Sequence, residues 1–325
     1  MSSKRSEIIK ILKESKGKAI SGEEMGNQLG ISRTMVWKYI KSLAKDGYEI
    51  ESSPKIGYIL RSVPDRLYPD AIKMGLRSTL IGQKIHHFDE LTSTNITAKE
   101  LAHDAEDGTV VVAEIQKGGR GRLGREWLSP RGGIWMSVIL KPTISLAHAS
   151  RLTLVAGIAI SKAMRKLGVD ARIKWPNDIL IDGKKVCGIL TEVNAEMELV
   201  DYIVVGIGIN ANVDMDEFSD DVREVATTLL SELGEPIDRI SFIQDVLFEL
   251  EQEYIRFRTQ PFSGILDEWK SLSDTIGRQV TITTSSKMIE GKAVGMTQDG
   301  ALVVEDSDGT RKDVMAGLCI YTRAK

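Results

Sequence analysis

The chain is short of the residues that build disulfide scaffolds, metal cages and membrane spans. Its two cysteines, Cys187 and Cys319, lie far apart, each in an apolar, strand-like run. That reads as two buried thiols and excludes a disulfide framework. The four histidines form no ligand cluster: His86 and His87 are strand neighbours that point to opposite faces, and His103 and His148 stand alone. No apolar run reaches the roughly 18 residues of a membrane helix. The start, MSSKRSEIIKILKESKGK, alternates charge with apolar residues, whereas a secretory signal needs an apolar core. These absences predict a cytoplasmic protein without a membrane attachment. Internal repeats and low-complexity tracts are also missing.

What is present fits a globular protein of two or three domains: 325 residues, 42% hydrophobic and 27% charged. The net charge of −3 hides an asymmetry, because residues 1–62 carry +5 and the remainder −8. A basic head on an acidic body places nucleic acid at the head. Residues 1–62 read helix, helix, turn, helix, hairpin. Ile8, Ile9, Ile11 and Leu12 form the first apolar stripe. Ser21 with Glu24 makes a capping box flanked by Ile20 and Met25, and Gly30 ends the second helix. Val36, Ile40, Leu43 and Ala44 fall on one face of the third, which Gly47 ends. Two strands around a Pro54-Lys55 loop complete a winged helix-turn-helix. The outward face of the third helix offers Arg33, Thr34, Trp37, Lys38 and Lys41 to a DNA groove, and Lys55 in the wing can reach a phosphate. The competing reading is a protein-contact module with a solvated basic face.

Residues 63–78, with two prolines, read as a linker with one short helical turn. From 79 to 270, strands (HHFDEL, TVVVAEI, IWMSVIL, ARIKW, ILI, KVCGILTEV, YIVVGIGIN) mix with a helix from near Asn95 and long helices over 149–167 and 239–258. The Asp182-Gly183 turn marks a hairpin. Hairpins beside long helices predict an α+β domain with a central mixed sheet. Residues 271–325 hold short strands and turns and predict a small, SH3-like β-barrel.

Five local features carry chemistry. Gln116 to Trp127 (QKGGRGRLGREW) follows a strand. Its four glycines allow close backbone approach, and its arginines make an anion cradle, although no Gly-Lys-Ser/Thr of a Walker A loop follows. Lys174-Trp175-Pro176-Asn177-Asp178 sets an amide and a carboxylate side by side on a proline-fixed turn. An Asx-turn satisfying its own backbone is the plain alternative. Lys185 opens an otherwise apolar strand, either at a solvated edge or as a charge aimed into a cavity. Thr92-Ser93-Thr94-Asn95 precedes a helix, where capping alone explains such residues. Gly206 and Gly208, before Asn210, let something press against a strand.

In this order the five motifs, with a winged helix before and a small barrel after, resemble the bifunctional biotin–protein ligase and biotin-operon repressor family over essentially the whole chain. The resemblance implies the following roles. Ser93, Thr94, Asn95 and Gln116 form the biotin ureido pocket. Gly119, Arg120, Gly121 and Arg122 form the loop that closes over biotin and the adenylate, and Trp127 is the aromatic wall. Lys185 contacts carboxylate and phosphate, and Gly188 contacts biotin through its backbone. Asn177 and Asp178 form the turn that assists metal binding or lysine deprotonation. ATP meets Arg120, Arg122, Asn177, Lys185 and Asn210, and catalysis rests on Lys185, Arg122 and Asp178. Biotin and ATP are the implied substrates, with Mg²⁺ on the phosphates. The implied partners are a biotin carboxyl carrier protein acceptor domain, operator DNA, and a second copy once biotinyl-5′-AMP is bound. The YIVVGIGIN strand is the expected dimer edge. One departure stands out: the stretch after Asn210, NVDMDEFSDDVRE, is acidic with Phe218 its only aromatic, so no adenine-stacking residue is assigned. Two other readings remain, a non-enzymatic biotin-sensing transcription factor and a lipoate-type acyl ligase. The cationic loop argues against the first, and the KWPND motif with the winged helix against the second.

Overall fold

The computed structural model describes residues 4–53, 56–284 and 287–322. The chain forms two compact units. One runs to Leu76 and takes in Asp238–Gln244; the other comprises Arg77–Ile237 and the chain from Asp245 onward.

The first unit opens with α1 (Lys4–Glu14), α2 (Gly22–Leu29) and α3 (Arg33–Lys45), followed by an antiparallel pair, β1 (Glu49–Ser53) and β2 (Gly57–Ser62). Ile8, Ile9, Leu12, Ile20, Met25, Leu29, Val36, Ile40, Leu43 and Tyr48 close one core. Ser21 Oγ accepts the Glu24 N–H at 3.0 Å and Ser32 Oγ that of Met35 at 3.2 Å, so each helix starts on a side-chain cap. Ala44, expected to face inward, is exposed. At about 100° per residue it lies roughly 80° round from Val36, whereas Leu43 lies about 20° away and takes the inward position. Gly57 adopts a left-handed φ of 108° and presses on the Ile20 carbonyl, which locks the wing to the turn before α2. Lys55, expected in the wing, lies outside the described residues, as does Pro54.

The stretch expected to be a linker is packed. It holds α4 (Pro69–Met74), with Pro69 in the first turn, and buries Leu67, Ala71 and Ile72. Ser6 Oγ donates to Asp70 at 2.8 Å, Arg239 Nε to Asp65 at 2.7 Å and Gln244 Nε2 to the Ile72 carbonyl at 2.8 Å. Pro69, one of the two prolines that suggest a spacer, instead starts a short helix.

In the second unit the elements are β3 (Ile85–Leu91), α5 (Thr94–Leu101), β4 (Thr109–Gln116), β5 (Ile134–Leu140), α6 (Arg151–Arg165), β6 (Arg172–Lys174), β7 (Asp178–Ile181), β8 (Lys184–Glu196), β9 (Leu199–Ile209), α7 (Asp220–Val225) and α8 (Leu229–Leu233). α9 (Arg239–Thr259), which belongs to this unit from Asp245 on, and α10 (Phe262–Leu272) follow. Seven strands form one sheet in the order β3-β4-β5-β9-β8-β7-β6, with β3–β4 parallel and the other pairs antiparallel. This is the mixed sheet expected. α5 packs Ala98 and Ala102 on Val111, Ile139 and Val204 on one face. Thr191 points to the other face and meets Thr153 of α6 at 2.8 Å. Glu251 of α9, 2% exposed, accepts the N–H groups of Thr79, Leu80 and Ile81 and anchors the start of this unit.

The topology corrects one expectation. β9 is not an edge, because β5 and β8 flank it. An unbroken apolar run is what a strand buried in mid-sheet needs. The last strands, β10 (Gln279–Thr283), β11 (Met288–Met296), β12 (Leu302–Glu305), β13 (Arg311–Val314) and β14 (Leu318–Tyr321), pair antiparallel in the order β13-β12-β11-β10-β14. β13 and β14 stand at its edges, so the SH3-like barrel is open among the described residues. Both cysteines are buried free thiols, Cys187 in β8 and Cys319 in β14.

Candidate active site

The cavity is built from the sheet outward. Its inner end lies where β4 delivers Gln116 to the N-terminus of α5. Ser93 occupies the N-cap position but makes no side-chain cap bond. Gln116 Oε1 takes the Thr94 N–H instead, at 2.7 Å, and its Nε2 donates to Ser129 Oγ at 2.9 Å. Capping alone therefore does not explain the Ser-Thr-Asn run. Asn95 is held from two sides: its Nδ2 donates to the Leu190 carbonyl at 3.2 Å and to Glu192 at 2.8 Å, and Ser137 Oγ lies 2.6 Å from its Oδ1. Its side chain presses on Gly206, where a Cβ would overlap the amide. Trp127 presses in the same way on Gly208 and Gly188, with ideal Cβ positions 2.6 and 3.1 Å from the indole. These glycines are the flat floor on which the site is laid.

The glycine-rich loop folds back on itself. Gly121 N–H donates to the Arg125 carbonyl at 2.7 Å and Trp127 N–H to that of Gly119 at 2.9 Å. Arg122 donates to Asn177 Oδ1 at 3.0 Å and to the Gly317 carbonyl at 3.4 Å, so it bridges the KWPND turn and the last sheet. Burial pulls the Arg122 guanidinium below its ordinary value and the field of Asp178 offsets part of that. It stays charged at neutral pH. Lys185 Nζ sits 2.7 Å from Asp178 Oδ1 and 4.9 Å from the centre of the Trp127 ring. Asn177 Nδ2 donates to the Ile189 carbonyl at 2.8 Å, which fixes the turn against β8.

One cavity of about 900 Å³ is lined by Ser93, Thr94, Asn95, Gln116, Arg120, Gly121, Arg122, Trp127, Asn177, Asp178, Lys185, Gly188 and Asn210. Among the residues expected in this site only Gly119 is off its wall, and it braces Trp127 from within the loop. Sequence reasoning missed Ser137, Glu192, Lys99 and Ser129. Ser137 was findable as the lone polar residue in IWMSVIL; the others gave no local signal. It also missed the walls contributed by Gly317–Ile320 and by α7. Phe218 reaches the cavity wall but is 3% exposed and packs with Trp135 and Val213, so its ring serves the core. Asn210 donates through Nδ2 to the Thr227 carbonyl at 3.0 Å, and its buried Oδ1 has no protein partner.

In the first unit, Arg33, Thr34, Trp37, Lys38 and Lys41 are all exposed on α3. Trp37 is 45% exposed, and Lys41 Nζ stands 4.1 Å above its ring. A cationic helix face with an aromatic plate suits a nucleic-acid groove. No described helix is long and apolar enough to cross a membrane.

A mixed-sheet domain whose cationic cavity lies under a glycine-rich loop, on one chain with a winged helix, defines a ligase-type protein with a DNA-binding module. Three family models match in the same order: an HTH domain over residues 4–59, the biotin/lipoate A/B protein ligase family over 86–210, and the biotin protein ligase C-terminal domain over 275–320. The bifunctional ligase/repressor BirA of Bacillus subtilis (strain 168) is 41% identical over 311 residues, covering 95% of this chain and 96% of its own. The protein of that name from Escherichia coli (strain K12) is 32% identical, covering 93% and 92%. The solved biotin protein ligase from Aquifex aeolicus in complex with biotin and ATP has a TM-score of 0.66 and 31% identity, covering 74% of this chain and all of its own. The chain belongs to the biotin–protein ligase family, on its bifunctional ligase/repressor branch.

Proposed function

We propose that the protein activates biotin with ATP to biotinyl-5′-AMP, transfers the biotinyl group to a lysine of a biotin carboxyl carrier protein, and represses an operator when loaded with the adenylate. The observation that carries this reading is the convergence of Arg120, Arg122 and Lys185 on the cavity that also holds Ser93, Thr94, Asn95 and Gln116.

The chemistry needs that convergence. The biotin carboxylate attacks the α-phosphorus of ATP and pyrophosphate leaves, so two anions must meet. Fixed cations in a partly dry site offset the repulsion. Lys185 is the point charge between carboxylate and phosphate, and Arg120 and Arg122 close over the product. Biotinyl-5′-AMP is a mixed anhydride, and a glycine-jointed loop shields it from water. The acceptor lysine then attacks the carbonyl and AMP leaves. Asp178, beside Lys185, is the base within reach. Asn177 and Asp178, whose oxygens now face Arg122 and Lys185, would be the residues to hold a Mg²⁺ ion carried on ATP, and that ion would supply further charge neutralisation on the phosphates. Asn210 Oδ1 is an acceptor available to the nucleotide.

α3 enters the operator groove with Arg33, Thr34, Trp37, Lys38 and Lys41. A repressor works where the chromosome is, which places the protein in the cytoplasm. For the homodimer, the topology favours β8 over β9: beyond Gly188 its outer side has no strand partner among the described residues, and Val193, Met197 and Leu199 are exposed beside it. The functional division proposed is 1–62, 79–270 and 271–325, while packing joins residues up to Leu76 and Asp238–Gln244 to the first unit.

The test mixes the protein with biotin, MgATP and an acceptor domain and reads biotinyl transfer by mass spectrometry. Transfer with AMP release is expected. Biotin binding without adenylate would replace the ligase by a biotin-sensing regulator, and lipoyl transfer would replace biotin by lipoate.

A further inference from the structure

Glu192 of β8 is not on the cavity wall but backs Asn95, which is, and nothing in the chemistry above uses it. Its two oxygens take Lys99 Nζ at 2.7 Å and Asn95 Nδ2 at 2.8 Å. Burial alone would raise its proton affinity, but the hydrogen bonds from Lys99 and Asn95 outweigh that and hold the carboxyl below its ordinary range, with Arg120 adding to the effect. It is therefore an acceptor only.

That fact propagates. Asn95 must turn Nδ2 toward β8, because both groups there, Glu192 and the Leu190 carbonyl, can only accept. Asn95 Oδ1 then faces Ser137 Oγ at 2.6 Å and draws its single proton. Thr94 Oγ1 lies 2.7 Å from Ser137 Oγ and 3.1 Å from Gln116 Oε1. Ser137 has no proton left and Gln116 Oε1 has none to give, so the Thr94 proton goes to one of them. Both lone pairs of Thr94 Oγ1 are left for the cavity.

We propose that Glu192, acting through Asn95 and Ser137, sets this end of the cavity as a hydrogen-bond acceptor and thereby selects a ligand with ring N–H donors, a cyclic urea, over a cyclic disulfide acid that has none. This rests on the biotin-ligase reading and deepens it. Glu192 is a positioning residue. The chain could not achieve the same polarity with a neutral amide at 192, because a glutamine can donate as well as accept. Only the Leu190 carbonyl, at 3.2 Å, would then hold Asn95 in this sense; a glutamine N–H donating to Asn95 Oδ1 offsets its loss, so Asn95 turns over in part of the molecules, presents Nδ2 to Ser137 and sends the Ser137 proton onto Thr94, where it competes with the ligand.

The experiment compares wild type, Glu192→Gln, Ser137→Ala and the double variant. Titration calorimetry uses biotin, a biotin methylated on one ureido nitrogen, and lipoic acid. Glu192→Gln should weaken biotin by about tenfold or more, since a polar site built for a donor discriminates strongly against its loss. The preference for biotin over the methylated probe should shrink equally, and KM for ATP should stay put. In the double variant, Ser137→Ala removes the competing proton and should restore part of the biotin affinity, a coupling of opposite sign to a second loss. Unchanged biotin affinity in Glu192→Gln, equal loss for both probes, or additive losses in the double variant would overturn the proposal. If Glu192→Gln does not fold by thermal denaturation, Glu192→Asp, which stays acceptor-only, must keep the probe preference while Asn95→Leu must lose it. Adenylate formation by the wild type is scored in parallel; its absence would sink the ligase reading and not this relay.

Discussion

Lys185→Ala is the sharpest test of how the cavity works. The amine sits 2.7 Å from Asp178 and 4.9 Å from the centre of Trp127, with its side chain 30% exposed. A reacting carboxylate and phosphate brought against it would lie about 4 Å away, where a unit charge is worth about 4 kcal/mol at an effective dielectric near 20. Partial exposure trims that to roughly 2–3 kcal/mol, or about 30- to 150-fold in rate. Removal also leaves Asp178, 23% exposed, facing the incoming anions without its cation, so the total loss should be on the order of 10²- to 10³-fold. The assay is pyrophosphate release with saturating biotin and ATP, with the adenylate read by mass spectrometry. Adding Asp178→Asn to Lys185→Ala should recover part of adenylate formation, because it removes the uncompensated charge, while acceptor transfer stays poor. An adenylate rate within about fivefold of wild type in Lys185→Ala would refute the assignment of this lysine.

Other outcomes follow from named contacts. Arg122→Gly cuts the links to Asn177 and the Gly317 carbonyl, so it should still form the adenylate but release it at least about tenfold faster; an unchanged release rate in a chase experiment contradicts this. Lys38→Ala and Lys41→Ala should each lower the salt slope of operator binding by about 1. Trp37→Ala should weaken operator binding, and biotin with ATP should strengthen that of the wild type; a gel shift indifferent to biotin removes the repressor half. Cys187 and Cys319 are buried, and burial pushes Cys319 up to about 11, so neither thiol should react rapidly with a thiol reagent near pH 8 until the protein is denatured. Hydrogen bonds from Lys162 and Arg256 overcome the opposing effect of burial and hold the Glu268 carboxyl below its ordinary range. A depressed acid gives stability that is present above its unfolded value and lost as pH falls through the folded one. Wild type should therefore lose thermal stability more steeply than Glu268→Gln below about pH 4.5.

The fold was most legible where one pattern had one physical cause. Alternation and turn residues located the hairpin at Asp182-Gly183, whose φ values of 48° and 78° are those the turn requires. Apolar spacing and cap residues located α1 to α3. Legibility failed where tertiary packing decides. The residues in and just before α4 look like a spacer until Leu67 and Ile72 are seen buried. Pairing order is not written in a strand's own residues, so YIVVGIGIN could be read as an edge although it lies in mid-sheet.

The site shows the same division, with a consequence for reading such chains. Charged and glycine-rich motifs marked much of the cavity wall, though not Gly317–Ile320 or α7, because anion chemistry demands residue types that are scarce in strands and turns. They did not mark the residues that orient those walls. Ser137 and Glu192 lie 55 positions apart and both reach Asn95 only because β5, β9 and β8 lie side by side. Each is an ordinary residue made consequential by its neighbours: a hydroxyl with one proton to give, and a carboxylate with none. Chemistry of the reacting centre can thus be read along the chain, whereas the donor and acceptor sense that selects the ligand is a property of the assembled sheet. Two ligases with identical loop motifs should differ in ligand choice when their buried partners of Asn95 differ, and swapping those partners alone should carry the choice across.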